Sequence, residues 1–233
     1  MHSLLFLIIL SISCLSYGMA KKLNVDTAID NAIIRYGLHT EPELKRLFAR
    51  ADAAYPPREV ALLAFKKERI VELWANSNTN HHWRYVHTYP LTAYSGQLGP
   101  KLKTGDRQIP EGIYNLVAFN PYSSMHLSIL INYPNQFDHL QALKDGRRNL
   151  GGDIYIHGKS MSVGCLAIGN YAIDQLFLLA RRVGLKHIKV IISPNDLRLH
   201  KPATANLAQP RWLPKLYKQI ANALTAFPTH NRG

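Results

Sequence analysis

A histidine and a cysteine stand eight residues apart in "DIYIHGKSMSVGCLAIGN", Asp153 to Asn170, and each is next to a glycine. Cysteine attacks as a thiolate, and its ordinary pKa of about 8.5 has to be overcome near neutrality. An imidazole within reach can take the thiol proton or, once charged, hold the thiolate in place. The "IYI" before His157 reads as a short strand, and Gly158 permits an abrupt turn after it. The loop from Gly158 to Gly164 is long enough to fold back and carry Cys165 to the ring. Gly164 allows close approach of a substrate and a backbone that aims N–H groups at a developing oxyanion. A lone cysteine is also a good small core residue, and these residues alone leave both readings open.

Cysteine usage and charge bear on that choice. The opening "MHSLLFLIILSISCLSYGMAKK" has an apolar run from Leu4 to about Leu15 and then Gly18-Met19-Ala20, the pattern of a secretory signal peptide cut after Ala20. Its leading segment offers only His2 in place of the usual Lys or Arg. Cys14 would leave with that segment, and Ser11 stands where a lipoprotein cysteine site favours Leu. The chain has 2 cysteines in all, so Cys165 is then a free thiol in an oxidising compartment, a liability unless buried or used. The expected location is the periplasm or cell envelope, with no stable membrane span after signal cleavage. The net charge of +13 attracts anionic partners such as nucleic acid, anionic lipid or an acidic wall polymer. Export removes nucleic acid from that set.

The elements that must position the pair follow from hydrophobic patterning. With 47% hydrophobic and 18% charged residues, the chain is expected to be globular. Val25 to Ala51 reads as helical, with Gly37 offering a stop and Pro42 near a second start. "VALLAFKKERIVELWAN" reads as a hairpin turning at Lys66 to Glu68, and "WRYVHTYPLTAYSG" as a third strand region. "GDRQIPEGIYNLVAFN", "MHLSILINYP" and "GGDIYIHG" supply further strands. A helix follows the cysteine: Asn170 is a candidate N-cap, and Ile173, Leu176, Phe177 and Ala180 form its apolar stripe. "HIKVIISP" reads as a strand, and the tail from Leu213 to Phe227 as an amphipathic helix. The expected fold is mainly β with helices, an α+β arrangement. It divides into a signal peptide (1–20), a helical lead-in (21–57), a main β-rich domain (58–194) and a C-terminal extension with a helix (195–233).

"IHGKSMSVGCLAI" resembles the signature of the L,D-transpeptidase catalytic domain family of the YkuD type, in which a His-Gly precedes a Ser-x-Gly-Cys segment. The common form has histidine directly before Gly-Cys and arginine shortly after it. Here Val163 and Ala167 hold those places, a departure that points to the YafK-like branch. "GDRQIPEGIY" is similar to the family's Gly-Asp…Thr-Pro-Glu-Gly entry, with Ile109 replacing threonine. "NPYSSMHLSILINYPNQFD" and "PRWLPKLYKQI" resemble segments of the branch. The resemblance implies a β-sandwich or barrel core and peptidoglycan stem peptides as substrate. Cys165 would attack the carbonyl on the L-centre of meso-diaminopimelate in a tetrapeptide and expel D-alanine. His157 would move the proton, oriented by a backbone carbonyl, and the N–H groups of Cys165 and Gly164 would hold the oxyanion. The family activity calls for no cofactor and no metal. The branch includes members linked to removing wall-attached lipoprotein, so a hydrolase releasing that lipoprotein or trimming stems is the alternative.

Weaker candidates surround the pair. His126 either lines the same cleft or alternates outward from a strand. Ser162 either orients the loop and binds substrate or fills the loop. Lys159 could meet a stem carboxylate, and Tyr155 could touch substrate. "HHW", His81 to Trp83, suggests metal only weakly, because adjacent histidines on a strand diverge and no acidic or cysteine cluster accompanies them. A reading of another class, a non-catalytic wall-binding module, rests on the basic surface alone.

Overall fold

The structure, a computed structural model of the 233-residue chain, describes residues 2–78, 82–204 and 209–230, with side chains from Asn24 onward. The expected signal peptide, Cys14 included, lies outside the residues whose side chains are described, and His81 lies outside the described residues altogether. Among the described residues no helix is long and apolar enough to cross a membrane.

Among the described residues eight strands form one sheet in the order β3-β2-β1-β8-β4-β5-β6-β7. They are β1 (Glu59–Phe65), β2 (Ile70–Asn76), β3 (Arg84–Pro90), β4 (Gly112–Asn120), β5 (Ser128–Ile131), β6 (Tyr155–His157), β7 (Leu166–Ala167) and β8 (Ile188–Ser193). Among the described residues four α-helices accompany them: α1 (His2–Arg50), α2 (Gln136–Lys144), α3 (Asn170–Val183) and α4 (Leu213–Leu224). The α+β class expected from the sequence is thus the one found.

The centre of the sheet explains why "VALLAF" lacks strict alternation. β1 pairs in parallel with β8 and antiparallel with β2, and both of its faces are covered. Val60, Leu62 and Ala64 join the core beneath α1 and α3, while Ala61, Leu63 and Phe65 join a second core with Leu216, Tyr217 and Ile220 of α4. A strand buried on both faces reads as one apolar run. The sheet curls, so that its last strand meets the linker after β3: Ala93 bridges Ala167, and the N–H of Thr92 donates to the carbonyl of Ala167 at 2.8 Å.

Three local expectations are corrected. The lead-in is one continuous helix through Gly37 and Pro42. Gly37 is buried with Leu178 of α3 beside it, so it serves helix packing and not a stop. Pro42 leaves the carbonyl of Leu38 without its helical donor, and Leu38 is exposed, where water can serve. The N-cap of α3 is Gly169 and makes no side-chain cap bond; Asn170 has another task, described below. α2 has no counterpart in the sequence reading. It is started by a capping box in which Asn135 and Asp138 each accept the other's backbone N–H.

Candidate active site

The pairing of β6 and β7 places the candidate pair. The two strands run parallel, with Ile156 opposite Leu166 and His157 opposite Ala167. The connection between them, residues 158–165, is shorter than the dozen or so residues usual between parallel neighbours. Side chains alternate faces along a strand, so Cys165, two residues before Ala167, falls on the face that carries His157. Both line one groove of about 480 Å³, together with Asn120, Tyr122, Met125, Tyr155 and Met161.

His157 is 4% exposed, and its backbone is held on both sides. It pairs with Ser128 of β5, and its carbonyl accepts the N–H of Ile168 at 3.0 Å. Its Nδ1 lies 2.6 Å from the carbonyl oxygen of Gly158. A carbonyl can only accept, so Nδ1 carries the proton and Nε2 keeps a lone pair for base duty. Burial lowers the imidazole's pKa, against the opposing effect of the Gly158 carbonyl. The ring is therefore neutral at neutral pH.

Cys165 is half-buried. The N–H of Tyr155 donates to its Sγ at 3.4 Å, and Sγ lies 3.7 Å from the carbonyl oxygen of Asp153. No hydrogen bond joins the thiol to His157 among the described residues, so the resting thiol faces backbone groups of residues 153–155. Burial raises its pKa, the Tyr155 N–H opposes this, and the charge of Asp153 adds to the rise. Thiol and imidazole are thus both neutral at rest, which suits proton transfer during attack better than a standing ion pair.

The remaining expected residues fall into two groups. Ser162 and Tyr155 line the groove, whereas His126 and Lys159 are not among its lining. His126 Nε2 sits 2.6 Å from Asp174 Oδ1 on α3, and Tyr36 of α1 meets its ring edge-on at 4.8 Å. Lys159 donates from Nζ to the Ser124 carbonyl at 2.6 Å and accepts at its own carbonyl from Thr92 Oγ1 at 2.6 Å. Gly164 has φ +115, and a Cβ there would lie 3.0 Å from the Gln108 carbonyl oxygen. Its N–H, expected as an oxyanion donor, is already given to Ser95 Oγ at 2.8 Å.

Several participants were invisible in the sequence. Ser95 lies far upstream and comes alongside only because the sheet curls. Asn170 accepts the Lys159 N–H through Oδ1 at 2.8 Å, pinning the turn after His157. His126, Asp153 and Lys159 all have positive φ (78°, 53° and 55°), a conformation that costs a side-chain-bearing residue roughly 1–3 kcal/mol and clusters at functional sites.

Gly158 is tightly enclosed. A Cβ there would meet Asn170 Oδ1 at 2.7 Å, the Met125 carbonyl oxygen at 2.8 Å and His126 Cβ at 3.1 Å. Gly158→Ala must shift the very carbonyl that holds Nδ1. Turnover is expected to fall about 10²-fold, the effect of a misplacement near 1 Å, while the protein still folds; steady-state kinetics beside a thermal melt check this. Among the described residues no group of three His, Cys, Asp or Glu side chains could hold a metal ion.

The groove thus holds a carbonyl-oriented histidine and a cysteine on one sheet face. The family model of the YkuD L,D-transpeptidase catalytic domain matches residues 59–192, more than half of the chain, and the chain belongs to that family. YafK of Escherichia coli (strain K12) is 32% identical over 120 residues, 51% of this chain and 46% of that protein. The chain thus matches about half the length of this relative. Among solved structures, the helical cell shape determining protein Pgp2 of Campylobacter jejuni is 22% identical, with a TM-score of 0.48 over 63% of this chain and 50% of that one. Bd1075 of Bdellovibrio bacteriovorus is 20% identical, with a TM-score of 0.44 over 75% of this chain and 57% of that one.

Proposed function

We propose that the protein is an exported, cysteine-dependent peptidoglycan enzyme, an L,D-transpeptidase acting on meso-diaminopimelate stem tetrapeptides in the periplasm. The observation that carries this reading is the shared groove: the Cys165 thiol and a His157 ring whose Nδ1 is pinned by the Gly158 carbonyl open onto the same space. Substrate entry displaces the thiol from the Asp153 carbonyl towards Nε2. The S–H proton passes to Nε2 as sulfur bonds to the carbonyl carbon on the L-centre of diaminopimelate. The Cys165 N–H supports the oxyanion. Collapse breaks the C–N bond, the imidazolium returns its proton to the departing D-alanine amine, and a thioester remains. A second stem's amine then attacks, losing its proton to His157 and freeing the thiol. No cofactor takes part in these steps.

Water in place of the amine gives a hydrolase, which trims stems or releases wall-linked lipoprotein. Incubation with disaccharide tetrapeptides, read by mass spectrometry, separates the outcomes. Dimers joined through two diaminopimelates are the expected product. Shortened monomers alone would assign hydrolysis, and unchanged substrate would leave the wall-binding reading.

A further inference from the structure

The two serines beside the nucleophile form a hydrogen-bonded chain whose direction is dictated by its ends. The Gly164 N–H donates to Ser95 Oγ at 2.8 Å, Ser95 Oγ lies 3.0 Å from Ser162 Oγ, and Ser162 Oγ donates to the Cys165 carbonyl at 2.8 Å. A hydroxyl has one proton and a carbonyl has none. The Ser162 proton is committed to the Cys165 carbonyl, so the proton between the two hydroxyls belongs to Ser95. Ser95 in turn accepts from Gly164. The Gly164 N–H also reaches Ser162 Oγ at 3.3 Å as a longer branch, and the shorter bonds run from Gly164 through Ser95 and Ser162 to Cys165.

We infer that Ser95 is a positioning residue for the nucleophile: the two-hydroxyl bridge clamps the peptide groups on either side of the Gly164–Cys165 bond. Turning either flanking group changes the backbone torsions at Gly164 or Cys165, which set the directions of the Cys165 N–H and of the thiol, and the bridge opposes such turning. The loop needs such a tie because its own side chains supply little packing, with Met161 60% and Val163 70% exposed. Ser95 itself is firmly placed. Ala93 bridges β7, and a Cβ on neighbouring Gly96 would fall 2.3 Å from Gln108 Oε1, so the linker is seated tightly on both sides. One consequence is that Gly164 spends its N–H on the bridge, which leaves the N–H of Cys165 as the nearby backbone donor for an oxyanion.

The inference rests on Cys165 being the nucleophile, and the experiment separates the two ideas. Ser95→Ala, Ser162→Ala, the double variant and Cys165→Ala are compared for acyl-enzyme formation from a disaccharide tetrapeptide. Each serine variant is expected to slow acylation about tenfold, the order that one hydrogen bond supplies, with KM within about twofold. The double variant is expected to be no slower than the slower single one, because the bridge fails as a unit. Ser95→Ala at wild-type rate, or single effects that multiply in the double variant, would overturn the bridge. If Ser95→Ala does not fold, Ser95→Cys, whose S–H and sulfur are weaker donor and acceptor, replaces it in both the single and the double variant. Wild-type turnover in Cys165→Ala would instead sink the nucleophile assignment itself.

Discussion

Replacing Cys165 with alanine is expected to lower turnover of tetrapeptide on the order of 10⁴-fold or more, the scale on which removal of a covalent nucleophile acts. The loss should come without unfolding, because the side chain is half-buried and its removal vacates part of an already open groove. His157→Gln should cost somewhat less, about 10²–10⁴-fold, the range of a general base. The protonation states give a second readout. With the thiol raised by burial, iodoacetamide alkylation of Cys165 should be slow at neutral pH and keep rising through and beyond the ordinary thiol range. With the imidazole lowered, His157 stays neutral, and competent as a base, down to below the ordinary histidine value. Acylation should therefore be flat across neutrality and fall only on the acid side. Alkylation that is fast at pH 7 and flat with pH would contradict the neutral pair.

Glu111→Gln is expected to destabilise the fold by about 3–5 kcal/mol, the usual consequence of leaving one partner of a buried ion pair behind. Lys66 Nζ and Glu111 Oε1 are 3.0 Å apart with both side chains fully buried. The lysine also donates to the carbonyls of Gly99 and Ile109. Glu111 accepts from the Gly99 N–H and from the Tyr217 hydroxyl of α4. This node ties the β1–β2 turn, the linker that holds Ser95 and the C-terminal helix into one unit. The paired change Lys66→Met with Glu111→Leu removes both charges and should regain only part of the loss, because the Gly99 N–H and the Tyr217 hydroxyl keep no acceptor. Urea denaturation of the three variants measures the ordering; a Glu111→Gln protein as stable as wild type would refute the account.

Much of this organisation is legible from patterning because the governing interactions are local. α3 shows its stripe in the sequence because one face meets the core, burying Ile173, Leu176, Phe177 and Ala180. β1 and β2 are recognisable as a hairpin because two β-rich runs flank a short polar turn. α2 escaped because it buries only Gln141 and Ala142, too little to imprint a period, and the Asn135–Asp138 capping pair was its one signal. Asn170 has the right residue type for an N-cap, yet its side chain is drawn away by the Lys159 N–H, a partner created by the turn.

Residue type, spacing and the glycines beside them single out His157 and Cys165 as a candidate pair, and the resemblance of that one short stretch to the family signature favours chemistry over a core role. Which neighbours hold them was settled by long-range packing alone. The curl of the sheet brings Ser95 to the loop before Cys165, and the contact of α3 with the 121–126 segment turns His126 onto Asp174. Local sequence carries propensity and periodicity, whereas these contacts join segments dozens of residues apart, whose meeting depends on how every intervening element packs.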